Sequence, residues 1–265
     1  MINKSIDFGN GIVHYYINKT YDPTQKCILF THGLTSDNSM FEKQIEFFTE
    51  DFNIITWDVP LHGRSVPYAN FSYHDCACII KGILDKEDIK KIILVGMSMG
   101  GYPSQMFGHL YPDMTEGFIA IDTTPFGLSY YSKSDIFWLK HAAPLAKYFP
   151  YNTLKNSMAK SVSTTMYSKQ KMLDMLSHSS KVQIIEQLDA AYSRFIAENQ
   201  NLILNFPTII LLGDSDKTGK VAAYCDEWAK NIGAPLYIIE NAAHFSNGDN
   251  PTQVNNIIYD FINSL

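Results

Sequence analysis

The most constraining feature of this chain is the run Lys91-Ile92-Ile93-Leu94-Val95-Gly96-Met97-Ser98-Met99-Gly100-Gly101, in which a β-branched apolar stretch of strand length leads into Gly-x-Ser-x-Gly. Small residues that can open a helix follow directly. A strand that turns sharply into a helix holds the turn serine, Ser98, in a strained backbone conformation with its hydroxyl above the sheet edge. Gly96 and Gly100 suit this turn because a Cβ at either position would crowd the neighbouring strand and helix. The N–H of Met99 then lies at a helix N-terminus, without an intrahelical acceptor, where it can receive an oxyanion. Five-letter matches recur by chance in long chains. The strand before this one and the helix after it give it its weight.

Around this run the chain alternates strands with helices. Ser5 to Phe8 and Ile12 to Ile17 read as a hairpin about Gly9-Asn10-Gly11. Lys26 to Thr31 is a continuous apolar run suited to a central strand buried on both faces, and it ends at His32-Gly33-Leu34. A helix over Ser39 to Thr49, a strand over Asn53 to Trp57 ending at Asp58, and a helix over Ser72 to Leu84 precede the serine strand. A helix to about Tyr111 and a strand from Gly117 to Ile121, ending at Asp122, follow it. The same rhythm returns late in the chain. Thr208 to Leu212 is a strand ending in Gly213-Asp214-Ser215-Asp216, Lys220 to Ile232 a helix, Leu236 to Ile239 the final strand, and Asn255 to Ile262 the closing helix. This order predicts an α/β fold: a mostly parallel sheet with helices on both faces, and a ligand site beyond the carboxyl ends of the strands.

Residues 125–205 break the rhythm. They carry no strong strand signal, Pro144 and Pro150 interrupt their helical stretches, and Lys181 to Glu198 repeats apolar side chains (Ile184, Leu188, Ala191, Tyr192, Phe195) at helical spacing. The expected organisation is a core of residues 1–124 and 206–265 with a helical cap inserted at 125–205.

Composition removes several function classes. A formal charge of −6 with no basic cluster argues against a nucleic-acid surface. Cys27, Cys76, Cys78 and Cys225 have no framework spacing and read as reduced thiols. Met1 to Gly11 lacks an apolar signal core, and no run approaches 18 apolar residues, so a cytoplasmic protein without a membrane partner is expected. His74, Cys76 and Cys78 are not expected to hold a metal, because positions two apart on a helix face different ways. Gly213 to Lys220 has the wrong spacing for a phosphate loop. No cofactor is called for.

A serine hydroxyl is a weak nucleophile. It needs a base within hydrogen-bond reach, itself oriented by a carboxylate. The chain order Ser…Asp…His is met by Ser98, then Asp214 or Asp216, then His244, each just past a strand.

At this point the chain resembles the α/β-hydrolase fold superfamily, in its capped, lipase/esterase-like form. His32-Gly33-Leu34 resembles that family's oxyanion turn, and Asp58-Val59-Pro60-Leu61-His62-Gly63-Arg64-Ser65 its Asp-x-x-Gly-x-Gly-x-Ser loop, with Pro60 and His62 as departures. Gly96 to Gly101 resembles the nucleophile elbow, Gly213 to Asp216 the acid turn, and Ala243-His244-Phe245 the histidine loop. The resemblance places the acid three residues after the glycine, which favours Asp216. Asp214 is then expected to cap the following turn, and Asp122 is a second alternative acid. The amides of Leu34 and Met99 are the implied oxyanion hole. His32 is expected to stabilise its turn and His62 to act structurally or in the pocket. His14, His74, His109, His141 and His178 read as surface or packing residues.

The middle segment is rich in aromatic and Met side chains. Most should pack the cap, while a minority, for which Phe126 and Trp138 are the candidates, should line a pocket over Ser98. Lys133, Lys140 and Lys147 leave room for a weakly acidic substrate. The expected activity is hydrolysis of a small, largely apolar carboxylic ester, thioester or lactone through an acyl-enzyme. Carbon–carbon hydrolases and cofactor-free perhydrolases would use the same three residues, and a small-ligand receptor with slow turnover is the reading from another class. Ser98 argues against relatives that use an aspartate nucleophile.

Overall fold

The computed structural model describes all 265 residues. The hairpin forms from Ile2–Asp7 (β1) and Ile12–Ile17 (β2), paired antiparallel with Ile2 opposite Ile17 and Asp7 opposite Ile12. The six remaining strands are Cys27–Thr31 (β3), Asn53–Trp57 (β4), Ile92–Met97 (β5), Thr115–Ile121 (β6), Thr208–Gly213 (β7) and Leu236–Ile239 (β8). They assemble in the order β1-β2-β4-β3-β5-β6-β7-β8. β2 pairs antiparallel with β4, and every pair from β4 to β8 is parallel.

Every residue of β3, β4 and β5 is buried. Continuous apolar runs rather than alternating ones are what a parallel strand covered on both faces requires. On one face Leu29, Ile55, Leu94 and Ala120 pack with Ile79, Ile80 and Ile83 of Tyr73–Lys86 and Phe107 of Gly101–Leu110. On the other, Ile28, Phe30, Val95 and Ile119 pack with Phe48 of Glu42–Phe48 and with Val254, Ile258 and Ile262 of Pro251–Ser264. In chain order the helices are Glu42–Phe48 (α1), Tyr73–Lys86 (α2), Gly101–Leu110 (α3), Lys133–Ala146 (α4), Tyr151–Ser161 (α5), Met166–Ser177 (α6), Lys181–Glu198 (α7), Val221–Ile232 (α8), Ser246–Asp249 (α9) and Pro251–Ser264 (α10).

Several helix boundaries differ from expectation: α1 starts at Glu42 rather than Ser39, after a separate 3-10 turn over Asn38–Phe41, and two others differ for a clear local reason. α10 starts at Pro251 rather than Asn255, because the Asn250 side chain accepts from Gln253 N–H and proline is tolerated in the first turn. Pro144 does not interrupt α4 but lies inside its last turn, whereas Pro150 occupies the cap position of α5. The first turn of α4 is fixed by a reciprocal Ser132–Asp135 capping box.

α4 to α7 fall between β6 and β7. Their buried side chains do not form a separate core. Leu154, Met172, Leu176, Ile184 and Leu188 join the cluster on one sheet face, while Ala191 and Phe195 of α7 join that on the other. α7 therefore spans the carboxyl end of the sheet.

Trp57 ties the centre together. Its ring is fully buried and its Nε1–H donates to Thr31 Oγ1 at 3.0 Å, from the last residue of β4 to the last of β3. Trp57→Ala should lower unfolding stability by about 3–5 kcal/mol, read as a reduced urea midpoint.

Candidate active site

β5 ends at Met97, and Ser98 takes a left-handed backbone with φ +52°. The glycines around it leave no room for a side chain. A Cβ on Gly96 would lie 2.6 Å from Gly100 O, and one on Gly100 only 2.1 Å from Thr31 O. The Thr123 hydroxyl, just beyond β6, donates to Ser98 O at 2.6 Å and secures the turn from the opposite side. Within residues 92–100 Ser98 alone is not buried.

Asp216 and His244 come from the ends of β7 and β8. His244 Nε2 lies 2.8 Å from Ser98 Oγ, and Nδ1 lies 2.7 Å from Asp216 Oδ2. A carboxylate only accepts, so Nδ1 carries the proton and donates to Asp216, leaving Nε2 to accept from the Ser98 hydroxyl. Thr218 N–H also donates to Asp216, at 2.8 Å. Burial opposes ionisation of Asp216, but its hydrogen bond and attraction to His244 and the Thr218 N–H hold its pKa below 3.8. Burial likewise works against the His244 imidazolium. The Asp216 hydrogen bond and charge, joined by the charge of Asp122, outweigh it and raise the pKa above 6.5.

The other acids have different tasks. Asp214 has local donors at Ser215, as a cap on its own turn would, and reaches further. It accepts from Asn241 N–H at 2.9 Å and Ala242 N–H at 3.2 Å, tying the end of β7 to the loop that carries His244. Asp122 is fully buried and makes no hydrogen bond to His244; it accepts from Gly213 N–H at 2.8 Å and from the Ser246 hydroxyl. Burial, with some repulsion from Asp216, pushes its pKa up to about 7 even though His244 and its donors pull it down. Asp249 accepts from Ala243 N–H at 3.0 Å and Thr164 N–H at 2.9 Å, and Phe245 N–H donates to Val162 O at 2.7 Å. The α5–α6 connection thus holds the histidine loop from above.

Leu34 follows a rigid turn in which buried His32 donates from Nδ1 to Gly33 O at 2.7 Å and accepts at Nε2 from Val59 N–H at 3.0 Å. His62, its ring 5.3 Å from that of His32, has its pKa lowered to about 3 by burial and that neighbour. Both imidazoles are neutral supports. The Leu34 N–H has no protein acceptor, and a Cβ on Gly33 would stand 3.4 Å from Ser98 Cβ, so this turn abuts the serine. Met99 is the second residue of the helical turn that Ser98 opens, where N–H groups lack intrahelical acceptors.

Two cavities meet at the serine. One of about 490 Å³ runs under α4, walled by Trp138, Leu139, Tyr192, Phe195 and Val221, with Asp135 and Lys220 paired at 2.8 Å among its polar lining. The other, about 170 Å³, lies on the Leu34 side and is lined by Met40, Met97, Met158 and Met172 with Leu188 and Phe245. Ser98, Tyr192, Thr218 and His244 line both.

The two aromatic candidates for the pocket part company. Trp138 is in the wall of the larger cavity. Phe126 is not: it is 1% exposed, its ring lies 5.4–5.6 Å from those of Tyr73, Tyr102 and Phe195, and its N–H donates to Gln105 Oε1. Residues 121–127 are all buried, which directs this ring into the core. Tyr192 has the spacing of an ordinary packing position on α7, which gives no sequence signal for a pocket residue. Its hydroxyl makes no protein hydrogen bond although burial raises its pKa, so it faces the cavity. Cys76 is fully buried, while Cys78 is half-buried with Sγ 3.8 Å from His74 Nδ1, so the two thiols do not converge.

Comparison with known proteins agrees with this architecture. A model of the alpha/beta hydrolase family matches residues 28–257. The uncharacterized hydrolase YugF of Bacillus subtilis is 23% identical over 261 residues, 94% of each chain. A 2-(acetamidomethylene)succinate hydrolase of Mesorhizobium japonicum is 34% identical over 100 residues, 37% of this chain and 36% of that one. Among solved structures, a thermophilic esterase from Thermogutta terrifontis superposes with a TM-score of 0.80 at 20% identity, covering 100% of this chain and 99% of the other. The enol-lactonase of Burkholderia xenovorans gives a TM-score of 0.78 at 17% identity, over 98% and 100% of the two chains.

The Asp216→Asn variant removes the charge that favours the imidazolium. Its His244 titration, followed by NMR, should therefore move to lower pH than in the unsubstituted protein.

Proposed function

The chain belongs to the alpha/beta hydrolase family, and we propose that it is a serine hydrolase that cleaves a small, largely apolar carboxylic ester, thioester or lactone through an acyl-enzyme. The observation that carries this reading is the continuous hydrogen-bonded line from Asp216 through His244 to Ser98, at 2.7 and 2.8 Å, ending on a serine with strained backbone. In this reading His244 Nε2 accepts the Ser98 proton as Oγ attacks the substrate carbonyl carbon. The oxyanion is received by the N–H groups of Leu34 and Met99, a donor pair of which each member typically contributes about 10²–10³ in rate. As the tetrahedral intermediate collapses, His244 returns the proton to the leaving alcohol, thiol or lactone oxygen. A water then gives its proton to His244, attacks the acyl carbon and releases the acid with Ser98 restored.

The two cavities support a substrate with unequal halves. The methionine-lined chamber suits a compact apolar group, since flexible thioethers adapt to irregular shapes. The larger one accepts a bulkier group against Trp138, Leu139 and Val221, with the Tyr192 hydroxyl and the Asp135–Lys220 pair as its polar contacts. We assign residues 125–205 the role of a cap that excludes water from the serine, and residues 1–124 and 206–265 that of the catalytic core.

Ser98→Ala should reduce p-nitrophenyl ester turnover by roughly 10⁴–10⁶ and abolish fluorophosphonate labelling, with the circular dichroism spectrum unchanged. Retention of either signal would remove the mechanism. The base works only when neutral, and its pKa is raised, so kcat/KM should climb with pH through a midpoint above 6.5. Asp122→Asn deletes one of the charges that raise it and should shift that midpoint downward.

A further inference from the structure

Helix α4 turns an apolar face outward that no other element covers. Phe137, Trp138 and Leu145 are 53%, 60% and 46% exposed, and just past the helix Tyr148 and Phe149 are 86% and 50% exposed. At about 100° per residue, Phe137, Trp138, His141, Pro144 and Leu145 share an arc of roughly 120°, and the Ala143 and Ala146 side chains are buried on the other side. The rings of Phe137 and His141 stack within this arc, their centroids 4.1 Å apart. Lys133, Lys140 and Lys147 recur every seven residues, so they form a row along one border of the arc, and all three are exposed. The one acid between residues 132 and 150 is Asp135, which is already bonded to Lys220, Tyr224 and Ser132. In a chain of net charge −6 this face reverses the sign locally.

We propose that this face of α4 docks on an anionic phospholipid surface. Its aromatic and leucine side chains enter the boundary between headgroups and acyl chains, and its lysine row meets the phosphates. The chemistry favours lipid over a folded partner. The face is a convex helix with amphipathic rings at headgroup depth, and the long lysine stems keep apolar contact while their ammonium groups stay in water. It also continues into the protein, since Trp138, Leu139 and Ala142 of the same helix line the cavity that reaches Ser98. No helix is long and apolar enough to cross a membrane. Interfacial binding does not need one, so the expectation of no membrane partner, drawn from hydropathy, did not bear on this surface.

The test uses vesicles of phosphatidylglycerol mixed with phosphatidylcholine, against pure phosphatidylcholine. Of the three tryptophans, Trp57 and Trp228 are 0% and 3% exposed, so a change in emission on binding reports Trp138. Emission should shift to the blue and the protein should sediment with phosphatidylglycerol vesicles at low salt, and both effects should be lost with pure phosphatidylcholine. The combined Lys133→Gln, Lys140→Gln and Lys147→Gln variant should bind about fivefold more weakly per lysine, on the order of 100-fold in all. The Phe137→Ser and Leu145→Ser double variant should bind more weakly and lose the blue shift. All of these positions are exposed and outside the site, and the readout does not involve Ser98, so it is independent of the proposed hydrolysis. Unchanged emission and sedimentation with phosphatidylglycerol would overturn the proposal, as would wild-type binding by both variants. A dimer in solution that buries Trp138 and dissociates in the double variant would also overturn it, by making a second copy the occupant.

Discussion

The structure depends on the absence of side chains where β5 turns into α3. Ser98 holds a left-handed backbone at a cost of order 1–3 kcal/mol, and such strain persists only where the surroundings over-determine it. Here they do. Gly100 sits against the end of β3, Gly101 against Thr123 beyond β6, and Thr123 in turn holds the Ser98 carbonyl. The two strands flanking β5 therefore clamp the turn from either side, and Ser98 is left as the one half-buried position in an otherwise buried run. Any rearrangement that relieved the strain would have to part strands in the middle of the sheet.

A second layer of organisation is electrostatic. Three acids close to His244 are used in three ways because their surroundings differ. Asp216 is stabilised as an anion by the imidazole and a backbone donor, and it orients the ring. Asp214, near the surface, is held ionised by the Asn241 N–H and other local donors, and it secures the histidine loop. Asp122 is sealed beneath, where burial brings its pKa to about 7. It bonds Gly213 N–H and the Ser246 hydroxyl, cross-linking the acid turn to the residue just after the histidine loop. Burial thus raises the pKa of one carboxylate, which ties two loops together, while hydrogen bonding lowers those of the other two.

The helical segment is joined to these residues by hydrogen bonds and by shared cavity walls. Asp249 and the Phe245 amide bind the α5–α6 connection to the histidine loop, and α7 contributes Tyr192 to both cavities. Its four helices share their apolar side chains with the two faces of the sheet, so a shift of the segment would be felt in the core and at His244 alike.

The sequence by itself determined the sheet and its serine. Runs such as Ile92 to Val95 are apolar at every position, and only a strand covered on both faces satisfies them; Gly-x-Ser-x-Gly after such a strand admits one sharp turn. It also ordered Ser98, Asp216 and His244 along the chain, although local chemistry could not separate Asp216 from Asp214. The resemblance favoured Asp216, and the tertiary structure sets Asp216 against an imidazole 28 residues away and Asp214 against the amides of the loop before it. Only the tertiary structure decided that Phe126 packs in the core while Tyr192 faces the cavity, two aromatics of similar appearance in sequence. The outward face of α4 was spelled in its spacing, but whether another element covers it was not. Periodicity records what each residue prefers as its environment, and the folded chain alone determines which surfaces meet.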